Sequence, residues 1–567
     1  MKDHMTARCA MIVFAASLAG PALAERGSDG QLNLLYWQPV TTMNPYISSA
    51  IKDVDAASVV LEPLARYDET GAIVPTLAAD IPTLENGGVA ADLRSITWTL
   101  KPGLTWSDGS PVTSEDLVFT HAYCTDPGFG CAQAAAFEGI EKIEAVDPLT
   151  VKVMFSAPKP FPYGAFVGAQ SPVLQKAQFA QCLGDRAPTC TGQNVAPIGT
   201  GPFRVTEFRV NDVAVLEANP AYRDPALPAF GKLVIKGGGD PAAAARAILV
   251  TSEMDFAWNL QVQPDVLAGM LENSTGELLV SFGPSVEYIF LNQTNPDPAL
   301  GDKRSTVEGG PHPFLTDPAV HWALSMALDR TLISELGYGE AGRPVCNVVA
   351  APPAYVSTAN DACLTQDVEG ANRLLDEAGW VKGPDGIREK DGVRLVIDYL
   401  TSTNPVRQDT QAIVKQMWAA IGVETNLRNV DAGVFFGGDG NPDGAWRFAS
   451  DVHMYMDNFT GTDPERYLAG RICSQIPSAA TNWNGANIPR LCNPAYDALV
   501  DKLAMTGPMD ERAAIVKELN DMLVASGAIM PLVNRADVSG KSKSLDGVRM
   551  NSWDSQLWNI AEWSRAK

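Results

Sequence analysis

Val286-Glu287-Tyr288-Ile289-Phe290-Leu291-Asn292 is a run of β-branched and aromatic residues carrying one charge, the composition of a buried strand. A polar stretch rich in Pro, Gly and Asp follows over 293–314 and reads as an exposed loop. Asp317 then stands as a helix N-cap, with Pro318 at the first helical position. Ala319, Val320, Ala323, Leu324, Ala327 and Leu328 recur at helical spacing, which predicts a helix ending at Arg330. The block 287–330 therefore reads as a strand crossing from one lobe to another, then the helix that follows it.

The rest of the chain supports more than one lobe, because 567 residues exceed what one core holds. An apolar share of 46% with 19% charged residues is that of a soluble globular protein. Residues 1–24 read as a cleaved secretory signal. Lys2 and Arg8 make a basic start, an apolar run follows over 11–18, and Ala22-Leu23-Ala24 fits the small-x-small cleavage rule. Cys9 precedes the apolar run, so the leader does not read as that of a lipoprotein. With Lys2 and Arg8 set against Asp3 in the leader, the net charge of −23 becomes −24 for the exported part. Such a field repels nucleic acid and anionic lipid.

Eight cysteines remain after the leader and stand as near neighbours: Cys124 and Cys131, Cys182 and Cys190, Cys346 and Cys363, Cys473 and Cys492. Pairing each with its neighbour closes the shortest loops, so four local structural disulfides are expected. None has the C-x-x-C spacing of a zinc site, and no metal or other cofactor is expected.

Toward the N-terminus, 95–101 alternates as a strand, and 102–111 supplies turns. Thr113 with Asp116 forms a capping box opening a helix. Residues 32–37 read as a strand and 56–64 as a helix. The block WTLKPGLTWSDGSPVTSEDLVF (98–119) closely resembles the signature of family 5 solute-binding proteins of ABC transporters, the oligopeptide- and dipeptide-binding group. The resemblance continues through IGTGPFRVTEF (198–208), ANPAYRD (218–224), DPAVHWALSMALDR (317–330), ANRLLDEAGW (371–380) and CNPAYDALVDKL (492–503). It implies an α/β periplasmic-binding-protein fold of the large three-subdomain, type II variety, with two crossing strands as hinge. The implied first lobe is 25–286 plus 530–567, with a subdomain over about 61–194, and the second lobe is 287–529. The apolar run 529–533 supplies a strand able to cross back.

Val393, Leu395, Ile397 and Tyr399 alternate along one strand of the second lobe. Ile413, Val414, Met417, Trp418 and Ile421 form a helix face that Gly422 terminates, and 423–427 is the next strand. Residues 451–456 read as a further strand. Ligands of open α/β sheets sit beyond the carboxyl ends of strands, which selects the loops 401–407 and 457–466. In peptide-binding relatives an acidic residue of the second loop pairs with the peptide's ammonium group. The resemblance assigns that role to Asp463, with Asp457 as the alternative. An arginine for the ligand's carboxylate is implied near Arg407, displaced by a residue or two from the family position. Trp37, Gln38 and Trp483 are candidate cleft-wall residues.

Other motifs fail on spacing. Gly540-Lys541-Ser542 lacks the phosphate-loop glycine, where Arg535 stands, and the calcium-like loop 439–444 has Ser450 at its twelfth position. His121, His312, His321 and His453 are scattered, and neither a nucleophile elbow nor a catalytic cysteine is present. The reading is a non-catalytic, monomeric periplasmic receptor that delivers small peptides to the permease and ATPase complex of an inner-membrane ABC importer. The alternatives are the same fold binding a sugar, opine, nickel or haem, and a secreted hydrolase.

Overall fold

The computed structural model describes residues 25–566 other than 49, 437–440, 460, 482 and 484, so the leader and part of the 439–444 loop lie outside the described residues. The strand Val286–Leu291 is buried at every position. Ile289 and Leu291 face one core with Leu324, Tyr399 and Trp418; Val286, Tyr288 and Phe290 face another with Leu468, Tyr496 and Leu519. A strand covered on both faces is apolar unless a charge in it is matched, which explains a composition apolar but for Glu287. It lies in a six-stranded mixed sheet ordered Gly342–Pro344, Ile529–Arg535, Val286–Leu291, Val452–Asp457, Val396–Ser402, Glu424–Val430. Val396–Ser402 runs parallel to both of its neighbours.

A second, seven-stranded sheet is ordered Gly276–Ser281, Asp537–Ser542, Phe256–Trp258, Gln31–Tyr36, Lys232–Gly237, Val213–Ala218, Phe203–Arg209. It too is covered on both faces: Leu32, Leu34 and Tyr36 enter one core and Leu35 another. The chain leaves this sheet after Ser281, enters the six-stranded sheet at Val286, and returns between Arg535 and Asp537. The two crossings are tied together, because Asn534 Nδ2 donates to the Gly283 and Ser285 carbonyls at 2.9 Å each. A three-stranded sheet of Ser95–Thr99, Thr150–Phe155 and Ile140–Asp147 has its own core around Trp98, Trp106 and Phe166. Against it packs the helix Ser114–Thr125, whose capping box places the Thr113 backbone N–H 2.9 Å from the Asp116 carboxylate. The disulfides are Cys124–Cys131, Cys182–Cys190, Cys346–Cys363 and Cys473–Cys492.

Several elements depart from the sequence reading, each for a local reason. The helix after Asp317 spans Pro318–Met326 and stops there, because Asp329 caps a second helix, Arg330–Tyr338, by accepting from Leu332 N. The first-lobe helix is Ile51–Ala57, earlier than 56–64. The alternation from Val393 to Tyr399 is divided: Val393–Arg394 pairs in a small meander, and only Val396–Ser402 joins the large sheet. The 293–314 segment is partly interior, since Ser305 and His312 are buried. His312 Nε2 lies 2.9 Å from Asp451, and Arg304 Nη2 donates to the Ala449 carbonyl at 2.6 Å. The strand Ile529–Arg535 pairs with Val286–Leu291, so it sits in the six-stranded sheet.

Candidate functional site

Because Val396–Ser402 and Val452–Asp457 are parallel, their carboxyl ends open on the same side. Asp457 is paired with Val286, the residue at which the chain crosses over, so that side faces the seven-stranded sheet. The loops leaving those ends meet the other lobe. Asn404 Nδ2 donates to Gln261 Oε1 at 2.6 Å, and the Gly461 N–H donates to the Trp553 carbonyl at 2.9 Å. Lys159 Nζ reaches Glu465 at 2.9 Å. Trp37 Nε1 donates to the Asn259 carbonyl at 2.7 Å, which sets half-buried Trp37 and Gln38 on the first-lobe side of this seam. Asn259, Gln261, Glu287, Asn404 and Arg535 bound a cavity of about 40 Å³ at its base.

Gly461 fits where a larger residue does not. Its φ is +80°, and a Cβ there would stand 2.5 Å from the Tyr67 ring. Gly461→Val is therefore expected to hold the two lobes apart: the radius of gyration of the variant under saturating ligand should exceed that of the wild type. Identical scattering from the two proteins would show that this contact does not set the closed state.

The charged candidates differ in what already satisfies them. Asp463, expected to anchor an ammonium group, has a side chain only 5% exposed and bound by Arg512, whose Nη2 donates at 2.7 Å to each carboxylate oxygen. Its Oδ1 also accepts from Glu465 N at 3.0 Å. Asp457 is paired with Arg471, but its side chain keeps 29% exposure, leaving room for a second donor. Arg407, in the first turn of the helix Pro405–Ala420, forms a buried ion pair with Glu287, Nε to Oε1 at 2.6 Å, and its Nη1 reaches Ser402 Oγ at 3.4 Å, so its charge is matched inside the protein. The Arg447 guanidinium covers the Trp483 ring at 4.1 Å from its centroid. Burial raises the Glu465 carboxyl, but Lys159 and Arg512 more than offset this and hold it below the usual carboxylate range.

The groups that sequence reasoning missed are the partners themselves: Arg512, Arg471 and Glu287. Nothing local marks the two arginines, since one inside the helix Met509–Ala525 looks like any solvated one, and the charge of Glu287 inside an apolar strand calls for a partner without naming it. Among the described residues no group of three or more His, Cys, Asp or Glu is placed to hold a metal ion.

Residues 72–469 match the profile of bacterial extracellular solute-binding proteins, family 5 Middle. A putative ABC transporter peptide-binding protein of Brucella ovis is 27% identical over 475 residues, 83% of this chain and 80% of that protein. Among solved structures, NikZ from Campylobacter jejuni in complex with Ni(L-His) superposes with a TM-score of 0.77 at 22% identity, covering 95% of this chain and all of that one. The oligopeptide-binding protein AppA from Bacillus subtilis, solved with a nonapeptide, gives a TM-score of 0.77 at 20% identity, over 96% of this chain and 100% of that one. The likeness is in the multi-domain α/β architecture with its large mixed sheets.

Proposed function

Because this chain belongs to the family 5 bacterial extracellular solute-binding proteins, we propose that it binds a peptide between its two lobes, with Asp457 receiving the peptide's ammonium group. It is a periplasmic substrate-binding protein of an ABC importer, non-catalytic, acting with a cognate permease and ATPase complex. The observation that carries the peptide reading is the placement of the loops after Val396–Ser402 and Val452–Asp457 against the opposite lobe, with one partly exposed carboxylate at the seam. The Brucella ovis relative, a putative peptide-binding protein, supports the same ligand class.

In this reading Asp463 shapes the loop through Arg512, and Arg407 holds the base of the cleft through Glu287. With Arg407 committed to Glu287, it is not the group that anchors the carboxylate end of the ligand. Trp37, Gln38 and Trp483 serve as walls. The fold is the type II, three-subdomain variety, hinged at the crossings. Lobe I comprises 25–286 and about 536–567 with the subdomain at about 61–194, and lobe II comprises 287–535; the last strand goes to lobe II by its pairing. The leader 1–24 is removed on export.

Mass spectrometry of ligand retained by natively purified protein is expected to yield peptides, and an opine, sugar or metal chelate would replace the reading. With such a peptide, N-acetylation should cost the wild type about 1.5–3 kcal/mol, the worth of a hydrogen bond to a charged group. Asp457→Asn should lose little on acetylation, because both changes remove the same interaction. If Asp457→Asn suffers as much from acetylation as the wild type, Asp457 is not the partner.

A further inference from the structure

Arg535 stands where the chain makes its second crossing. It is the last residue of the strand Ile529–Arg535, and its backbone N–H donates to the Ser285 carbonyl of the first crossing at 2.9 Å. Val533 is paired with Glu287, and Asn534 with Val286. Side chains alternate along a strand, so Arg535 projects to the same face of the sheet as Val533 and Glu287. Arg535 and Glu287 accordingly both line the cavity at the base of the interlobe seam.

The two charges are not equivalent there. Arg407 covers Glu287 through Nε at 2.6 Å and Nη2 at 3.3 Å, one bond to each carboxylate oxygen. Arg535 has no such partner: among the described residues no carboxylate oxygen lies within 4.0 Å of its guanidinium. Its side chain makes one hydrogen bond, from Nη2 to Asn259 Oδ1 at 3.2 Å. That oxygen also accepts from Gln261 Nε2 at 3.2 Å, and Gln261 Oε1 accepts from Asn404 Nδ2 at 2.6 Å. What reaches Arg535 across the seam is therefore a chain of neutral amides. Its Nε and Nη1 are unbonded among the described residues, and both retain accessible surface in a residue that is 7% exposed overall.

A guanidinium keeps its proton, so holding it against a neutral acceptor alone in a nearly buried place is unfavourable. With Glu287 offset by Arg407, the cavity carries one unmatched positive charge, and an anion that enters it relieves the cost. Its volume of about 40 Å³ admits a group of a few atoms in place of water and excludes a large side chain. A carboxylate meets both conditions, and its two oxygens suit the forked N–H groups of an arginine. Asp457 lies at the end of the strand on the other side of Val286–Leu291. A peptide lying across these strand ends meets a carboxylate toward one end and a guanidinium toward the other.

Resting on the peptide reading above, we infer that Arg535 anchors the C-terminal carboxylate of the bound peptide and makes the receptor selective for peptides whose C-terminus is free. The test offers the exported protein, stripped of retained ligand, an equimolar library of random di- to tetrapeptides. Half of the library is supplied as free acids and half as C-terminal amides, and the bound members are counted by mass spectrometry. The wild type should retain acids over amides at least about 10-fold, the worth of a hydrogen bond to a charged group. Arg535→Gln removes the cation and leaves a polar side chain, so it should retain the two forms alike. Should that variant not fold, Arg535→Lys carries the test: a point charge lacks the fork, and the preference for acids should shrink without vanishing. Equal retention of acids and amides by the wild type overturns the inference and leaves the peptide reading standing. Retention of neither form overturns that reading and this inference with it. An acid preference undiminished in Arg535→Gln, or unchanged in Arg535→Lys, shows that another group anchors the carboxylate.

Discussion

Replacing Arg407 with Met is expected to destabilise the protein by about 3–5 kcal/mol, the usual consequence of leaving one member of a buried ion pair without its partner. Glu287 lies on the first crossing strand with its side chain 2% exposed, and Arg407 is the cation that meets it, through Nε at 2.6 Å and Nη2 at 3.3 Å. Truncating the arginine leaves the carboxylate without this partner at the base of the cleft, where Tyr338, Asn404 and Arg535 also line the cavity. Removing both charges together, as Glu287→Gln with Arg407→Met, should recover most of the loss, since no lone charge remains. The measurement is the urea midpoint followed by tryptophan fluorescence and by far-ultraviolet circular dichroism, because coincident curves are needed before a midpoint is read as a free energy. An Arg407→Met protein as stable as the wild type would mean the pair is solvated and contributes nothing. The double variant also bears on ligand binding. If Arg407 acts only inside the protein, restoring stability should restore affinity as well.

Asp55→Asn should act in the opposite direction and only above acid pH. Asp55 lies in the helix Ile51–Ala57, is 1% exposed, and accepts from Trp258 Nε1 at 2.8 Å. Burial pushes its carboxyl up to about 7; hydrogen bonds from Trp258 and Ser555 oppose that, and the Asp537 and Asp554 carboxylates add to it. An acid whose pKa is higher in the folded than in the unfolded chain retains its proton on folding. Folding stability therefore falls as pH rises from about 4, the ordinary Asp value, to about 7, and is then level. A gap of that size corresponds to at most about 4 kcal/mol. Asparagine keeps the acceptor for Trp258 and cannot ionise, so the variant should be the more stable protein at pH 8 and equal to the wild type near pH 4. Carboxylates that do not interact with Asp55, Glu465 among them, cancel in the difference. A stability difference that does not change with pH would show that Asp55 carries no extra proton in the folded state.

These two residues mark the boundary between what local sequence conveys and what it does not. Glu287 interrupts an apolar strand, and a charge inside such a strand has a partner somewhere; its spacing in the chain says nothing about which. Asp55 sits in a short helix whose extent the sequence misjudged. The reason is that the turn at 58–64 is held by long-range bonds, such as Leu64 N to the Phe166 carbonyl at 2.9 Å, which no local propensity encodes.

The sequence by itself determined the features whose physics is local. Pro318 behind Asp317 and the Thr113–Asp116 box start helices at those positions because a side chain a few residues away satisfies the free backbone N–H groups. The run 286–291, apolar but for Glu287, is a strand with both faces covered, and each of the eight cysteines after the leader is bonded to its near neighbour, where loop closure is least demanding. Tertiary structure alone decided which charges remain open to a ligand. Asp463 is matched by Arg512, 49 residues on, and Arg407 by Glu287, 120 residues back, while Asp457, matched by Arg471, keeps an accessible edge. A carboxylate's availability depends on which cation the fold brings within a few ångströms of it, and that proximity is a property of the packed sheets and helices, not of the loop in which the carboxylate is written.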